Sequence, residues 1–187
     1  NCTFSGFNAF GSAVTLVTFD ECTFKSNGKS GYNGANLWGS TKMINTKFIF
    51  DGTASTEWID CISPDKTYEF TGCTLNGGSL FHNQGYLSSR NSGTKITIDG
   101  VTYTWKDGDY LVAENGTAVA TDQSSLNAAL NANETEVQLV AGEYVVPSAA
   151  KGKTVTFKGT ENPADVKVAV TKVGTGGENC DYGLDGS

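Results

Sequence analysis

Val17–Phe24 reads VTFDECTF, and the same phrase returns at Thr41–Phe48 (TKMINTKF), Tyr68–Leu75 (YEFTGCTL) and Ile96–Tyr103 (ITIDGVTY). A clipped copy stands at Asn1–Phe4 (NCTF), and the first half alone recurs at Val155–Thr160 (VTFKGT). Aligned, the phrase is apolar, any, apolar, any, turn residue, small interior residue, any, apolar. Alternation of period two marks strands. The turn position holds Asn1, Glu21, Asn45, Gly72, Gly100 and Gly159, and five of these six are Asn or Gly, which enter the left-handed region at low cost. The phrase therefore encodes a strand, a one-residue bend and a second strand. A two-residue hairpin turn would reverse the chain, whereas a single bend carries it round a corner.

The residue after the bend is Cys2, Cys22, Thr46, Cys73 and Val101, at spacings of 20, 24, 27 and 28. Repeats of this length belong to solenoids, propellers or arrays. Bent strands with no helix inside the repeat predict an all-β, parallel β-helix. Its coils would stack about 4.8 Å apart, so that Cys2, Cys22, Thr46, Cys73 and Val101 form one interior column. Phe4, Phe24, Phe48, Leu75 and Tyr103 form another.

Composition narrows the function. The net charge of −7, with Lys and Arg scattered singly, argues against nucleic acid and against anionic membrane surfaces. No apolar run reaches the length of a membrane span. The five cysteines include no C-x-x-C pair, which argues against a zinc or redox site. Stacked Cys2 and Cys22 fall within the separation a disulfide tolerates, although buried packing thiols are the favoured reading.

The coils run through residues 1–112, and 113–122 (AENGTAVATD) reads as a joint. After it, 124–132 (SSLNAALNA) forms a short helix with Leu126, Ala129 and Leu130 on one face and Asp122 or Ser124 as N-cap. Residues 123–187 then make the cap and first coil of a second β-helix, or part of the same solenoid. A helix, a strand, a Gly bend at Gly142 and then Tyr144 resembles the N-terminal cap of pectate-lyase-like right-handed β-helix proteins. The resemblance implies a right-handed coil. The Asn/Thr-rich phrases are also similar to β-helix modules of gut bacterial surface proteins and of phages infecting such bacteria.

Enzymes resembling this fold act on polysaccharides with carboxylates or an Arg or Lys base. The outward phrase positions Asp20, Ile44, Thr71, Asp99 and Lys158 make no acidic column. Asp51, Glu57, Asp60 and Asp65 lie close in sequence, but solvated turns explain them better. Asp107 and Asp109 flank Gly108 without the further ligands of a calcium loop. His82 is the single histidine, which leaves no His-pair metal site. No catalytic residue, metal or cofactor is assigned.

Exposed aromatics on a rigid scaffold can stack on sugar rings. The candidate ligand-binding residues are Trp38, Trp58, Asp60 and His82. The expectation is a non-catalytic structural or recognition module, found outside the cell in a phage fibre, a virion decoration or a bacterial surface adhesin. Its partners would be a cell-surface glycan or a virion protein, and a fibre would form a homo-trimer. The alternative is a polysaccharide lyase or glycoside hydrolase, using Arg90 or carboxylates, with its active site partly outside this chain.

Overall fold

The structure, a computed structural model, describes residues 1–11, 15–27, 32–51, 56–81, 87–89, 91–106, 110–159 and 166–169. Its strands in chain order are β1 (Thr3–Ser5), β2 (Phe7–Phe10), β3 (Val17–Asp20), β4 (Thr23–Lys25), β5 (Tyr32–Leu37), β6 (Thr41–Ile44) and β7 (Lys47–Ile49). There follow β8 (Thr56–Cys61), β9 (Tyr68–Thr71), β10 (Thr74–Leu75), β11 (Leu87–Ser88), β12 (Lys95–Ile98), β13 (Val101–Lys106), β14 (Tyr110–Ala113) and β15 (Ala118–Ala120). The helix α1 (Gln123–Asn131) comes next, then β16 (Glu136–Leu139), β17 (Gly142–Val145), β18 (Thr156–Gly159) and β19 (Val166–Ala169). The described residues form a β-solenoid of about six turns with one short α-helix, as expected of a parallel β-helix with a capping helix.

Each phrase supplies one strand to each of two sheets. The first halves β3, β6, β9 and β12 pair in parallel, and so do the second halves β1, β4, β7 and β10. The return paths β2, β5, β8 and β11 make a third parallel sheet. At the corners Glu21, Asn45 and Gly72 have φ of 48°, 47° and 60°. The corners lie over one another, because Glu21 N donates to Ile44 O and Asn45 N to Thr71 O.

The small residue after each corner has a specific task. At the bend its side chain donates to carbonyls of the corner, adding to the backbone bonds there. Cys22 Sγ donates to Asp20 O at 3.4 Å. Thr46 Oγ1 reaches both Ile44 O and, one coil away, Phe19 O, and Cys73 Sγ reaches Thr71 O and Met43 O. Alongside, Phe4, Phe24, Phe48 and Leu75 align in register. Phe24 is stacked between Phe4 and Phe48 at centroid distances of 4.8 and 5.4 Å.

The fourth full phrase departs from this plan. Asp99 and Gly100 both have positive φ, 48° and 84°, the mark of a type I′ hairpin turn. β13 therefore returns antiparallel to β12, with Ile98 opposite Val101 and Ile96 opposite Tyr103. The expected columns end one coil early. Val101 is largely exposed, and Tyr103 packs edge-on against Phe81 instead of stacking on Leu75.

β13, β14 and β15 form an antiparallel meander, after which β16 pairs in parallel with β15 and β18 in parallel with β16. Residues 113–122 thus hold the end of β14, a turn at Glu114–Gly116 and β15. One nine-stranded sheet runs unbroken from β3 to β18.

Two cores flank this sheet. Ile96, Trp105, Leu111 and Val119 belong to the first, while Tyr110, Ala118, Ala120, Val137 and Leu139 belong to the second. Opposed residues share a face, so Trp105, Leu111 and Val119 line one side and Tyr110, Ala118 and Ala120 the other. β15 is buried on both faces. Three antiparallel pairings also reverse strand direction between β12 and β15. Reversing the strands and exchanging the inner face together amount to a half turn about the stacking axis. The second stack consequently grows in the same direction, and with the same hand, as the first.

Helix α1 closes the second core with Leu126, Ala129 and Leu130, the face expected. Asp122 is its N-cap, in a reciprocal capping box with Ser125. Asn133, at φ 65°, ends it in a Schellman motif through Asn133 N to Leu130 O and Glu134 N to Ala129 O. The Tyr144 hydroxyl fastens the cap to the stack by donating to Ala120 O and Val140 O, both at 3.1 Å.

Candidate functional site

β8 carries two of the four candidate side chains, Trp58 and Asp60, and Trp38 follows directly on β5. Along β8, Ile59 and Cys61 enter the first core, so the alternating Trp58 and Asp60 share the outward face. Gly34 stands beside Trp58 and Asn36 beside Asp60 on the coil below, with Ser88 beside Asp60 on the coil above.

This outward face is covered. Asp60 is 1% exposed and Asn36 4%, while Trp58 is half-buried. The Asn36 Oδ1 atom finds no hydrogen-bond partner. Burial, and then the neighbouring Asp60 charge, push the Cys61 thiol well above its ordinary pKa. Asp60 is therefore a buried group under the outer surface and not an acid open to solvent.

Gly34 fixes how closely β5 and β8 approach. It has φ +134°, and a Cβ there would lie 2.0 Å from the Trp58 carbonyl oxygen. No L-residue fits. The backbone that carries Trp58 is thereby seated directly on the coil below.

Trp38 is different. It follows the last residue of β5 and is 44% exposed. Its corner, Trp38–Ser40, connects the return sheet to the large sheet. Val17 N bonds to Ser40 O, which brings Leu16, 53% exposed, to the same corner one coil below. The corner is held rigidly from the coil above. Thr67 N donates to Ser40 Oγ, and the Tyr68 hydroxyl donates to Leu37 O while accepting from Ser63 N. The two exposed apolar side chains stand on fixed backbone. His82 and Arg90, with Asp107 and Asp109, lie outside the described residues.

Charges on the outer faces are matched coil by coil. Lys42 pairs with Glu69 at 3.4 Å, Glu136 with Lys158 at 2.8 Å and Glu143 with Lys167 at 2.8 Å. The lysine hydrogen bonds, first in order of effect, hold the Glu136 and Glu143 carboxyls below their ordinary pKa. Glycoside hydrolysis needs two carboxyl groups roughly 5–9.5 Å apart across a sugar. In the register of the described strands no carboxylate stands beside another: Asp20 aligns with Ile44 and Thr71, and Asp60 with Asn36 and Ser88. Among the described residues no group of three His, Cys, Asp or Glu could hold a metal ion, and no helix is long and apolar enough to cross a membrane.

Sequence reasoning named Trp58 and Asp60 as candidates but did not single out Asn36 or Leu16. Asn36 could have been found from the alternation within NGANLW, where Ala35 and Leu37 face inward. Compared with known protein families, with curated proteins and with solved structures, the chain matches none.

Proposed function

We propose that this chain is a non-catalytic structural and recognition module, working outside the cell as part of a phage fibre, a virion decoration or a bacterial surface adhesin. The observation that carries the reading is the Trp38 corner. An exposed indole and an exposed leucine side chain project from backbone fixed by bonds to two coils. An indole carried on backbone held this way suits stacking on a sugar ring, because little loop entropy remains to be lost on binding. The paired lysines and glutamates around the solenoid suit a surface that stays soluble and presents loops.

Glycan-array and whole-cell binding of the wild type and of Trp38→Ala tests the proposal. Binding that falls at least tenfold in the variant, with an unchanged melting temperature, supports recognition through this corner. A wild type that binds no glycan or cell surface sinks the recognition role and leaves an architectural spacer. Cleavage of a bound glycan by the wild type would instead overturn the non-catalytic reading.

A further inference from the structure

We propose that Cys2 and Cys22 form a redox-labile disulfide that staples the first coil to the second. The two cysteines occupy the same position of successive phrases, each just before the aligned pair Thr3 and Thr23. Thr23 N donates to Cys2 O at 2.8 Å, so the two residues are in-register neighbours of a parallel ladder, with α-carbons about 4.8 Å apart. That separation lies inside the range a disulfide spans.

Their surroundings differ in a way that suits exchange. Cys22 is buried at the edge of the first core, and its thiol makes a single weak bond of 3.4 Å to Asp20 O. Cys2 is exposed to solvent. No other registered pair in this column can do the same, because Thr46 separates Cys22 from Cys73 by two coil spacings. The β-carbons of in-register neighbours must close by about an ångström to reach a relaxed disulfide. A bridge formed with such strain is more easily reduced than a relaxed one.

The step balances as thiol–disulfide exchange with a small oxidised disulfide such as oxidised glutathione. The Cys2 thiolate attacks one sulfur of the oxidant, forming a mixed disulfide and releasing one glutathione thiolate. The Cys22 thiolate then attacks the Cys2 sulfur and releases the second. Two protein thiols lose two protons and two electrons, and one glutathione disulfide becomes two thiols.

The experiment incubates the folded protein with oxidised glutathione, traps remaining thiols by alkylation and maps the peptides by mass spectrometry. The expected result is the loss of two free thiols, a linked Cys2–Cys22 peptide, and a melting temperature raised by roughly 5–10 °C. Dithiothreitol should reverse all three. Cys2→Ser and Cys22→Ser should each lose the rise, and Ser at 22 keeps the donor that Thr46 supplies at the equivalent corner. Glutathione remaining on Cys2, a covalent dimer through Cys2, or a bridge from Cys2 to any other cysteine would each overturn the proposal.

Discussion

Replacing Gly34 by Ala tests the claim that successive coils are seated on one another at backbone contact. A Cβ at this position would lie 2.0 Å from the Trp58 carbonyl oxygen and 3.0 Å from the Trp58 nitrogen and carbonyl carbon. An ordinary carbon–oxygen contact is more than an ångström longer. The obstruction is backbone, so no rotamer change relieves it. Opening β5 from β8 by that amount would stretch a ladder bond of about 2.9 Å beyond hydrogen-bonding range. Losing two such bonds costs about 2 kcal/mol, and holding alanine at φ +134° adds about 1–3 kcal/mol. The expected destabilisation is about 3–5 kcal/mol, a fall in melting temperature of roughly 10–15 °C for a chain of this size.

Gly116→Ala is the control. Gly116 has φ +87° in the turn between β14 and β15, and nothing lies within 4 Å of a Cβ there. Only conformational strain of about 1–2 kcal/mol applies. Thermal melts and urea titrations of both variants decide the matter. Equal stabilities for Gly34→Ala and Gly116→Ala would refute the close seating of β5 on β8.

Two further perturbations probe other parts of the stack. Thr46→Val keeps the shape but removes the donor to Ile44 O and Phe19 O; it should cost about 1–3 kcal/mol in urea titration, and no loss would show that the corner carbonyls do not need it. Acidification should loosen the second stack, because Glu136 and Glu143 have folded pKa values depressed by Lys158 and Lys167. The unfolded chain takes up these protons first, so their contribution is complete above the unfolded value near 4.5 and is lost as pH falls through the folded values. Hydrogen-exchange protection factors, corrected for the intrinsic pH dependence of exchange, should therefore fall in β16, β17 and β18 below about pH 4.5, and unchanged protection there would contradict the assignment.

The architecture was written in the corners. Glu21, Asn45 and Gly72 each bend the chain once, and the residues after them stack as their spacing implied. Asp99–Gly100 was misread because its phrase fits the same apolar template. What separates it is the consecutive pair of residues able to take positive φ, which makes a reversing turn and not a corner. The double burial of Ala118–Ala120 was also hidden: a short apolar run looks the same whether one core or two press on it. At the candidate site, alternation separates Trp58 and Asp60 from Ile59 and Cys61, but strand periodicity says nothing of what lies over either side. The burial of Asp60 and the exposure of Trp38 are consequences of how coils and corners meet, which single-chain patterning does not encode.

The meander has a mechanical consequence. It joins the two stacks by sheet, with turns at Asp99–Gly100 and Glu114–Gly116 in place of a tether, so there is no slack for a pull along the axis to take up. The nine strands of the shared sheet measure about 38 Å along that axis. Each strand lies crosswise to the load, so rupture would travel rung by rung from an end, like a ladder torn from its lowest step. Torque applied to one stack would pass to the other through the same rungs, as through a stiff shaft.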